Sequence, residues 1–261
     1  MTFGAALKAL ERDKNGFSIH APADWAQGRT LYGGMTAALA HECAIRSLDG
    51  LPPLRSAQML FVGPAEGRLS FTATLLRQGR SATLVAVDAH GEKGQVLRAS
   101  LVFGAARESM VTFSDLAIPD APPPDQCQGL FGDAAARAPG FTGNFIMLNA
   151  DGGRPFMGDE APLRLWTRFR DAPGANPTSA LLAMADVPPP AAMTRFRQFA
   201  PISSMTWQID ILHHPESMDG WHLMRSRAEG AGEGYSPQEM QLWDESGRCL
   251  AAGRQSIAIF T

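Results

Sequence analysis

The chain contains two kinds of hydrophobic pattern, and each kind occurs in both halves. Residues 35–48 and 178–185 are apolar nearly all round, which is typical of buried helices. Other runs alternate apolar and polar residues with period two, which predicts strands with one buried face. These runs are residues 56–62, 68–76, 82–89, 96–103, 205–212, 221–228, 239–244 and 249–259. The short turns between consecutive runs predict antiparallel meanders, because such strands need no crossover helix.

A few elements outside these meanders complete the prediction. Residues 3–14 show helical spacing of apolar positions, and residues 17–20 alternate like a strand. Residues 141–148 and 163–169 read as extended segments. Asn176 and Pro177 predict the start of the second buried helix, with Asn as the N-cap and Pro in the first turn.

The two halves look like copies of one unit. In each half, a Gly-x-Ser motif that begins at Gly79 or Gly234 precedes a predicted strand. A Gly-polar-apolar-Leu motif that begins at Gly94 or Gly247 precedes the next predicted strand. The pairs Gly79 and Gly234, Gly94 and Gly247, and Pro64 and Pro215 are separated by 155, 153 and 151 residues. A nearly constant offset of this length indicates duplicated domains. We expect one domain at 1–112, a proline-rich linker at 113–140 and a second domain at 141–261.

Composition narrows the possible functions. Hydrophobic residues make up 45% and charged residues 19% of the 261-residue chain, which is ordinary for globular domains. The net charge of −3 gives no basic face for nucleic acid. Three widely spaced cysteines suggest reduced thiols in the cytoplasm, with no disulfide framework and no zinc site. The first residues lack a signal-peptide pattern and no run reaches the length of a membrane span, so we expect a cytoplasmic protein without a membrane partner.

Several motifs recur in an order that resembles a known family. They are Tyr32-Gly33-Gly34, Phe61 with Pro64, Leu181-x-x-x-Ala185-Asp186-x-Pro188, Gly247-x-x-Leu250-Ala251 and Arg254-Gln255. Together they resemble the thioesterase-like superfamily of double-hotdog acyl-CoA thioesterases, related to the bacterial medium-chain type II enzyme. The resemblance implies an α+β tandem hotdog, in which two buried helices are each wrapped by a curled antiparallel sheet. It also implies that the two units share one continuous sheet, and that the chain forms a homodimer or a higher homo-oligomer.

The resemblance further implies hydrolysis of acyl-CoA to a free acid and CoA, without a metal or any cofactor beyond the CoA of the substrate. In the family an aspartate, a glutamine and a hydroxyl residue of the second unit activate the attacking water. The glutamine corresponds to Gln255. The aspartate is expected early in the strand at 204–211, where Gln208 or Trp207 stands, depending on the alignment. Asp210 lies two residues after Gln208, so on a strand without a bulge the two side chains point to the same face. Asp210 is therefore a candidate base.

Other side chains are alternatives for these roles. The resemblance places the hydroxyl residue near Ser226, with Tyr235 and Ser236 further along. Asp186 ends the second helix, where it could serve as the base or simply as a turn residue before a proline. His41 lies with Glu42 about two turns after Gly-Gly, where single-hotdog thioesterases carry a carboxylate, although these side chains could also emerge into solvent.

The Tyr32-Gly33-Gly34 segment is the predicted contact for the thioester oxygen or the pantetheine arm, because backbone N–H groups at a helix start can bind an anion. Close packing is the structural alternative for the two glycines. Two other functions stay open at this point. One is an acyl-CoA-binding protein without catalysis, and the other is an enzyme that hydrates enoyl-CoA through a helix-borne Asp and His. A metal site at His213, His214 and His222 is disfavoured, because adjacent strand residues point to opposite faces.

Overall fold

A computed structural model describes the backbone of residues 1–260 and the side chains of all these residues except 133 and 134. Fifteen strands are present in this part of the chain. They are β1 Glu11–Arg12, β2 Phe17–His20, β3 Ala26–Gln27, β4 Thr30–Leu31, β5 Leu54–Phe61, β6 Arg68–Gln78, β7 Ala82–Gly91, β8 Gly94–Gly104, β9 Gln128–Gly129, β10 Phe145–Asn149, β11 Leu163–Phe169, β12 Ile202–Ile211, β13 His222–Ala228, β14 Tyr235–Asp244 and β15 Cys249–Ile259. Three α-helices accompany them, α1 Phe3–Lys8, α2 Gly33–Ser47 and α3 Pro177–Ala185. Short 3-10 helices cover Ala23–Trp25, Pro124–Gln126, Gly132–Arg137, Gly140–Asn144 and Ala191–Arg195.

Thirteen strands form one antiparallel sheet in the order β1-β2-β6-β7-β8-β5-β12-β15-β14-β13-β11-β10-β9. The first six belong to the N-terminal unit and the last seven to the C-terminal part of the chain. The two units meet where β5 pairs with β12, from Thr206 opposite Leu60 to Asp210 opposite Ser56. The predicted continuous sheet and the α+β double-hotdog architecture are therefore confirmed.

The helices α2 and α3 lie antiparallel to each other beneath this sheet. The Tyr32 hydroxyl, at the start of α2, donates a hydrogen bond of 2.8 Å to the Ala183 carbonyl near the end of α3. Gly34 makes the closest approach, since a Cβ there would lie 2.7 Å from the same carbonyl oxygen. Both helices are buried because their small apolar residues meet the sheet on one side and each other on the other. As predicted, Asn176 caps α3, accepting hydrogen bonds from the backbone of Thr178 and Ser179.

An aromatic cluster links the N-terminal unit to the C-terminal strands. The Trp25 ring lies 5.6 Å from Phe3 and 5.7 Å from Phe145, and Phe3 and Phe145 both contact Phe169. Tyr32 stacks on Phe141 with ring centroids 3.9 Å apart. These rings belong to one hydrophobic core that contains residues of both halves. The two units are therefore held together by side-chain packing as well as by strand pairing.

Two segments differ from the sequence-based expectation. The predicted helix at 3–14 ends at Lys8, because Glu11 and Arg12 form a strand that pairs with β2. The proline-rich segment at 113–140 is packed against the second half of the sheet, where Leu116 and Pro122 lie on its outer face and Gln128–Gly129 forms the edge strand β9. There the indole N–H groups of Trp243 and Trp166 donate to the carbonyls of Leu116 and Pro122, both at 2.8 Å. Along the described residues, none of the helices has the length and apolarity required for crossing a bilayer.

Candidate active site

A chain of hydrogen bonds ends at the carboxylate of Asp186, the residue that follows α3. The backbone N–H of Ala191 donates to Oε1 of Gln238 at 2.7 Å, and Nε2 of Gln238 donates to Oε1 of Gln255 at 2.9 Å. Nε2 of Gln255 then donates to Oδ1 of Asp186 at 2.5 Å. Because a backbone N–H can only donate, it determines which way both amides point. Gln255 is thereby held with its NH₂ group towards the carboxylate.

Three elements bring these side chains together. Gln238 of β14 and Gln255 of β15 are direct cross-strand partners, so their side chains share the core face of the sheet. Both are nearly inaccessible, with 1% and 4% of their surface exposed. Asp186 approaches them from the end of α3, and the prolines at 188–190 lead the chain into the 3-10 helix that starts at Ala191. The site is thus built from residues separated by up to 69 positions.

The second carboxylate oxygen of Asp186 faces the start of α2. The Gly34 N–H donates a hydrogen bond to this carboxylate. A Cβ on Gly33 would lie only 2.8 Å from Oδ2 of Asp186 and 3.3 Å from the Phe61 ring. A side chain at position 33 would therefore occupy the space next to the carboxylate. The positive end of the α2 dipole points at the same place, where it stabilises negative charge.

Asp186 is placed to exchange a proton near neutral pH. The residue keeps some exposed surface, but its carboxyl group is enclosed. Burial raises the pKa of Asp186 from 3.8 to about 7, against the opposing effect of the hydrogen bonds from Gln255 and Gly34. A carboxylate with this pKa is a suitable general base, because about half of it is ionised at pH 7 and the ionised form is basic enough to accept a proton.

We expect Gly33→Ala to lower activity more than it lowers stability. The added methyl group displaces the Asp186 carboxylate, because Oδ2 would lie 2.8 Å from the new Cβ, closer than van der Waals contact allows. Overpacking of this kind costs about 1–3 kcal/mol. The measurement is kcat/KM for the thioester hydrolysis that the sequence predicts, together with the urea-unfolding midpoint. Gly143→Ala is the matched control, because a Cβ there meets no atom within 4 Å and the backbone of Gly143 is outside the left-handed region. Activity of Gly33→Ala equal to that of the wild type would show that the close approach has no catalytic role.

Gln208 and Asp210, the other predicted catalytic residues, are not brought to Asp186. Trp207 is the residue opposite Gln255, and it is 1% exposed on the core face. Gln208 is exposed and lies opposite Arg254 on the outer face. Asp210 shares that outer face, partly buried. The side chains of Gln208 and Asp210 therefore lie across the sheet from Gln255.

The residues predicted to supply the hydroxyl group or to contact the substrate lie at different places in the fold. Ser226 is fully buried on β13 and its hydroxyl has no hydrogen-bond partner in the described structure. Tyr235 is 59% exposed at the start of β14, and Ser236 donates to the carbonyl of Gly230. Sequence reasoning missed Ser204. A bulge between Ser204 and Thr206 turns Ser204 towards the core face. Ser204 is the cross-strand partner of buried Ile257, and this is the next core-facing pair along the sheet after Trp207 and Gln255.

His41 and Glu42 are buried at the other end of the helix pair. Nδ1 of His41 and Oγ of Ser179 are 2.8 Å apart, and Ser179 donates to Glu42 at 2.8 Å. Glu42 also pairs with Arg46 at 2.6 Å. Burial lowers the pKa of His41 to about 4, so the ring is uncharged at neutral pH. His41 therefore contacts α3 about 10 Å along the helix from Asp186.

This second cluster is the internal counterpart of the Asp186 site. Glu42 lies nine residues after Gly33, and Asp186 lies nine residues after Pro177, the first residue of α3. Glu42, however, forms an ion pair with Arg46. The His41 ring stacks on Phe103 with ring centroids 6.0 Å apart, and Phe103 belongs to β8, the strand that corresponds to β15. The duplicated fold thus offers two equivalent places, and the free carboxylate with a glutamine partner occurs at Asp186.

The histidines at 213, 214 and 222 do not converge. His213 bonds the Cys249 carbonyl through Nδ1, and His222 bonds the Gly220 carbonyl. His214 instead lies 3.4 Å from the guanidinium of Arg55. Across the described residues, no three His, Cys, Asp or Glu side chains are grouped as metal ligands.

Comparison with known proteins places the chain in one family. The family described as acyl-CoA thioesterase C-terminal domain matches residues 119–259, and the corresponding N-terminal domain matches residues 21–104. The chain therefore belongs to the double-hotdog acyl-CoA thioesterases, which are thioester hydrolases. No protein of curated function matches it in sequence at a significant level.

Solved structures show the same fold along the whole chain. A hotdog-fold protein of Alicyclobacillus acidocaldarius is 25% identical with a TM-score of 0.88, and the match covers 99% of this chain and 98% of that one. The acyl-CoA thioesterase II TesB2 of Mycobacterium marinum is 20% identical with a TM-score of 0.78, covering 97% and 96%. The tesB protein of Mycobacterium avium subspecies paratuberculosis is 18% identical with a TM-score of 0.80, covering 99% and 98%.

Proposed function

We propose that this acyl-CoA thioesterase uses Asp186 as its general base and Gln255 as the residue that orients the attacking water. The observation that carries this proposal is the direct contact between Gln255 and Asp186 at the start of α2. A proton acceptor, an amide and the positive end of a helix converge there. These are the groups that thioester hydrolysis requires, since water must lose a proton as it attacks and the carbonyl oxygen becomes negative.

The proposed reaction proceeds in two steps. The ionised Asp186 carboxylate takes a proton from water while the water oxygen attacks the thioester carbonyl, and the carbonyl electron pair moves to oxygen. The N-terminal end of α2 stabilises this oxyanion. When the intermediate collapses, the carbon–sulfur bond breaks and the CoA sulfur leaves with the electron pair. Protonated Asp186 returns its proton to the sulfur, which yields the free acid and CoA.

The second predicted function, hydration of enoyl-CoA, is less well supported by the geometry. It calls for a histidine and an aspartate at one place. His41 is the buried histidine of the helix pair, and it is bonded to Ser179 at the far end of α3 from Asp186. Acyl-CoA binding without catalysis is disfavoured because a basic carboxylate is available beside Gln255.

We also propose that the enzyme needs no cofactor beyond the CoA of its substrate and works in the cytoplasm as a homodimer or a higher homo-oligomer. Three free thiols, Cys43, Cys127 and Cys249, favour a reducing compartment. The net charge of −3 favours a small-molecule substrate over nucleic acid. Light scattering of the purified chain and thiol release in the presence of a chelator test the assembly and the absence of a metal requirement.

Activity should rise with pH through the titration of Asp186. Only the ionised carboxylate accepts a proton, and its pKa is about 7, so kcat/KM should increase about tenfold per pH unit below 7 and level off above it. The measurement is thiol release from acetyl-, butyryl-, octanoyl- and benzoyl-CoA over roughly pH 5 to 9. Absence of turnover on every thioester would overturn the proposed activity, and turnover with a flat profile would overturn the role of Asp186.

A further inference from the structure

Trp207 lies at the bottom of the candidate site. On the core face of β12 it is the cross-strand partner of both Gln255 in β15 and Met59 in β5. Cross-strand partners on one face have Cβ atoms about 4.5–5.5 Å apart, so the indole lies beside the amide that contacts Asp186. With 1% of its surface exposed, Trp207 is among the largest fully buried side chains of the protein. If the carbonyl carbon of the substrate thioester lies next to Asp186, an acyl chain that extends into the core meets this ring.

Beside Trp207 is a small cavity under the end of α3. Its lining includes Ala185, Trp207, Ile209, Met224, Met240 and Gly253. Ala185 directly precedes Asp186, so the cavity lies one residue along the chain from the residue that carries the carboxylate. Its volume of about 10 Å³ is close to the minimum that a single water molecule needs. Apart from Gln241, the lining side chains are apolar or aromatic, which suits a hydrocarbon chain better than a charged group.

The cavity exists because β12 and β15 approach closely at Gly253. A Cβ on Gly253 would lie 2.4 Å from the carbonyl oxygen of Gln208, so this position of the core face carries no side chain. Trp207 and Met240 both line the cavity at this place. Methionine adapts its shape readily, whereas an indole enclosed on all sides moves only if its neighbours repack. The tryptophan is therefore the part of the wall that resists a longer chain.

From this arrangement we propose that Trp207 limits the acyl chain, so that the enzyme hydrolyses short acyl-CoA, from acetyl to butyryl, in preference to medium and long chains. This assignment rests on the proposed function, because it takes Asp186 as the point of attack. A longer acyl group must displace the indole or overpack the core, and a closed interior tolerates either change poorly. Trp207 is thus a specificity-determining residue and takes no part in the chemical step.

The test compares chain-length profiles of three variants with the wild type. Trp207→Ala and the milder Trp207→Leu enlarge the cavity. Trp243→Ala removes an equally buried tryptophan that lies outside the cavity lining and donates to the Leu116 carbonyl. The readout is kcat/KM for octanoyl-CoA divided by kcat/KM for butyryl-CoA. This ratio is insensitive to the folded fraction, because both values come from the same preparation.

We expect the wild type to prefer butyryl-CoA by at least about tenfold, since pocket contacts worth one methylene group discriminate by 10–200-fold. Trp207→Ala should raise the octanoyl-to-butyryl ratio by about 10–100-fold, Trp207→Leu by less, and Trp243→Ala should leave it unchanged. Equal ratios in the wild type and a folded Trp207 variant would overturn the proposal, as would a wild-type preference for octanoyl-CoA.

A failure of the proposed function looks different from a failure of this assignment. Loss of the proposed function means that the wild type turns over none of the thioesters. In that case the shift in melting temperature caused by each acyl-CoA still measures how well its acyl chain binds in the pocket. Octanoyl-CoA should stabilise Trp207→Ala more than it stabilises the wild type, and equal shifts would overturn the assignment of Trp207.

Discussion

Asp186→Asn should abolish most of the thioester hydrolysis while leaving the protein folded. The substitution keeps the shape of the side chain but removes the group that accepts the proton, and general bases contribute about 10²–10⁴-fold to rates. We expect kcat/KM to fall by that factor, with loss of the rise in rate around pH 7. The measurement is thiol release across pH on the purified variant.

Asp210→Asn is the matched control, because Asp210 is the carboxylate of the outer face of β12. We expect its activity to equal that of the wild type. If Asp210→Asn lost activity and Asp186→Asn kept it, the base would lie on the outer face and the proposed mechanism would be wrong. If neither variant lost activity, the base would have to be sought at another residue.

The difference in stability between Asp186→Asn and the wild type should depend on pH with a defined sign. The folded-state pKa of Asp186, about 7, exceeds its ordinary value of 3.8, so between these values the folded state binds more protons than the unfolded state. The wild type therefore loses stability as pH rises from about 4 to about 7, by at most about 4 kcal/mol. The Asn variant does not titrate there, so its stability relative to the wild type should increase over the same range. Urea unfolding at both ends of the window separates this effect from the loss of activity.

Trp25→Ala should destabilise the protein by about 3–5 kcal/mol, the usual cost of removing a buried tryptophan. The Trp25 side chain is fully buried between Phe3 and Phe145, and its indole N–H donates to the Met1 carbonyl at 3.1 Å. Because Phe145 belongs to β10, the cavity opens at the contact between the two halves. The measurement is the free energy of unfolding in urea, together with the number of transitions.

Trp221→Ala is the control for this prediction. Trp221 is half-buried and packs under the guanidinium of Arg168, 4.7 Å from its ring centroid, away from the junction of the halves. We expect it to cost about 1 kcal/mol, as a partly exposed cation–π contact does. Equal losses in the two variants would argue that Trp25 is ordinary core and that the halves are held chiefly by the β5–β12 pairing.

Much of the fold follows from local patterns in the sequence. Period-two runs such as residues 82–89 and 96–103 became β7 and β8 with small changes at their ends. Asn176 and Pro177 predicted the start of α3, and the offset between Gly94 and Gly247 predicted the duplication. These predictions succeed because helix caps, turns and burial patterns depend on residues close together in the chain. The end of α1 was missed because pairing of Glu11 and Arg12 with β2, a tertiary preference, overrides helix propensity.

The sequence alone therefore determined the two buried helices, the antiparallel meanders and their duplication, and the family resemblance made Gln255 a candidate site residue. Only the tertiary structure decided which carboxylate meets that glutamine, because Asp186 and Gln255 lie on different elements 69 residues apart. It also decided the faces of β12, since one extra residue between Ser204 and Thr206 reverses the alternation beyond the bulge. The pKa of Asp186 follows from burial, which depends on the assembled core and is invisible in a local pattern.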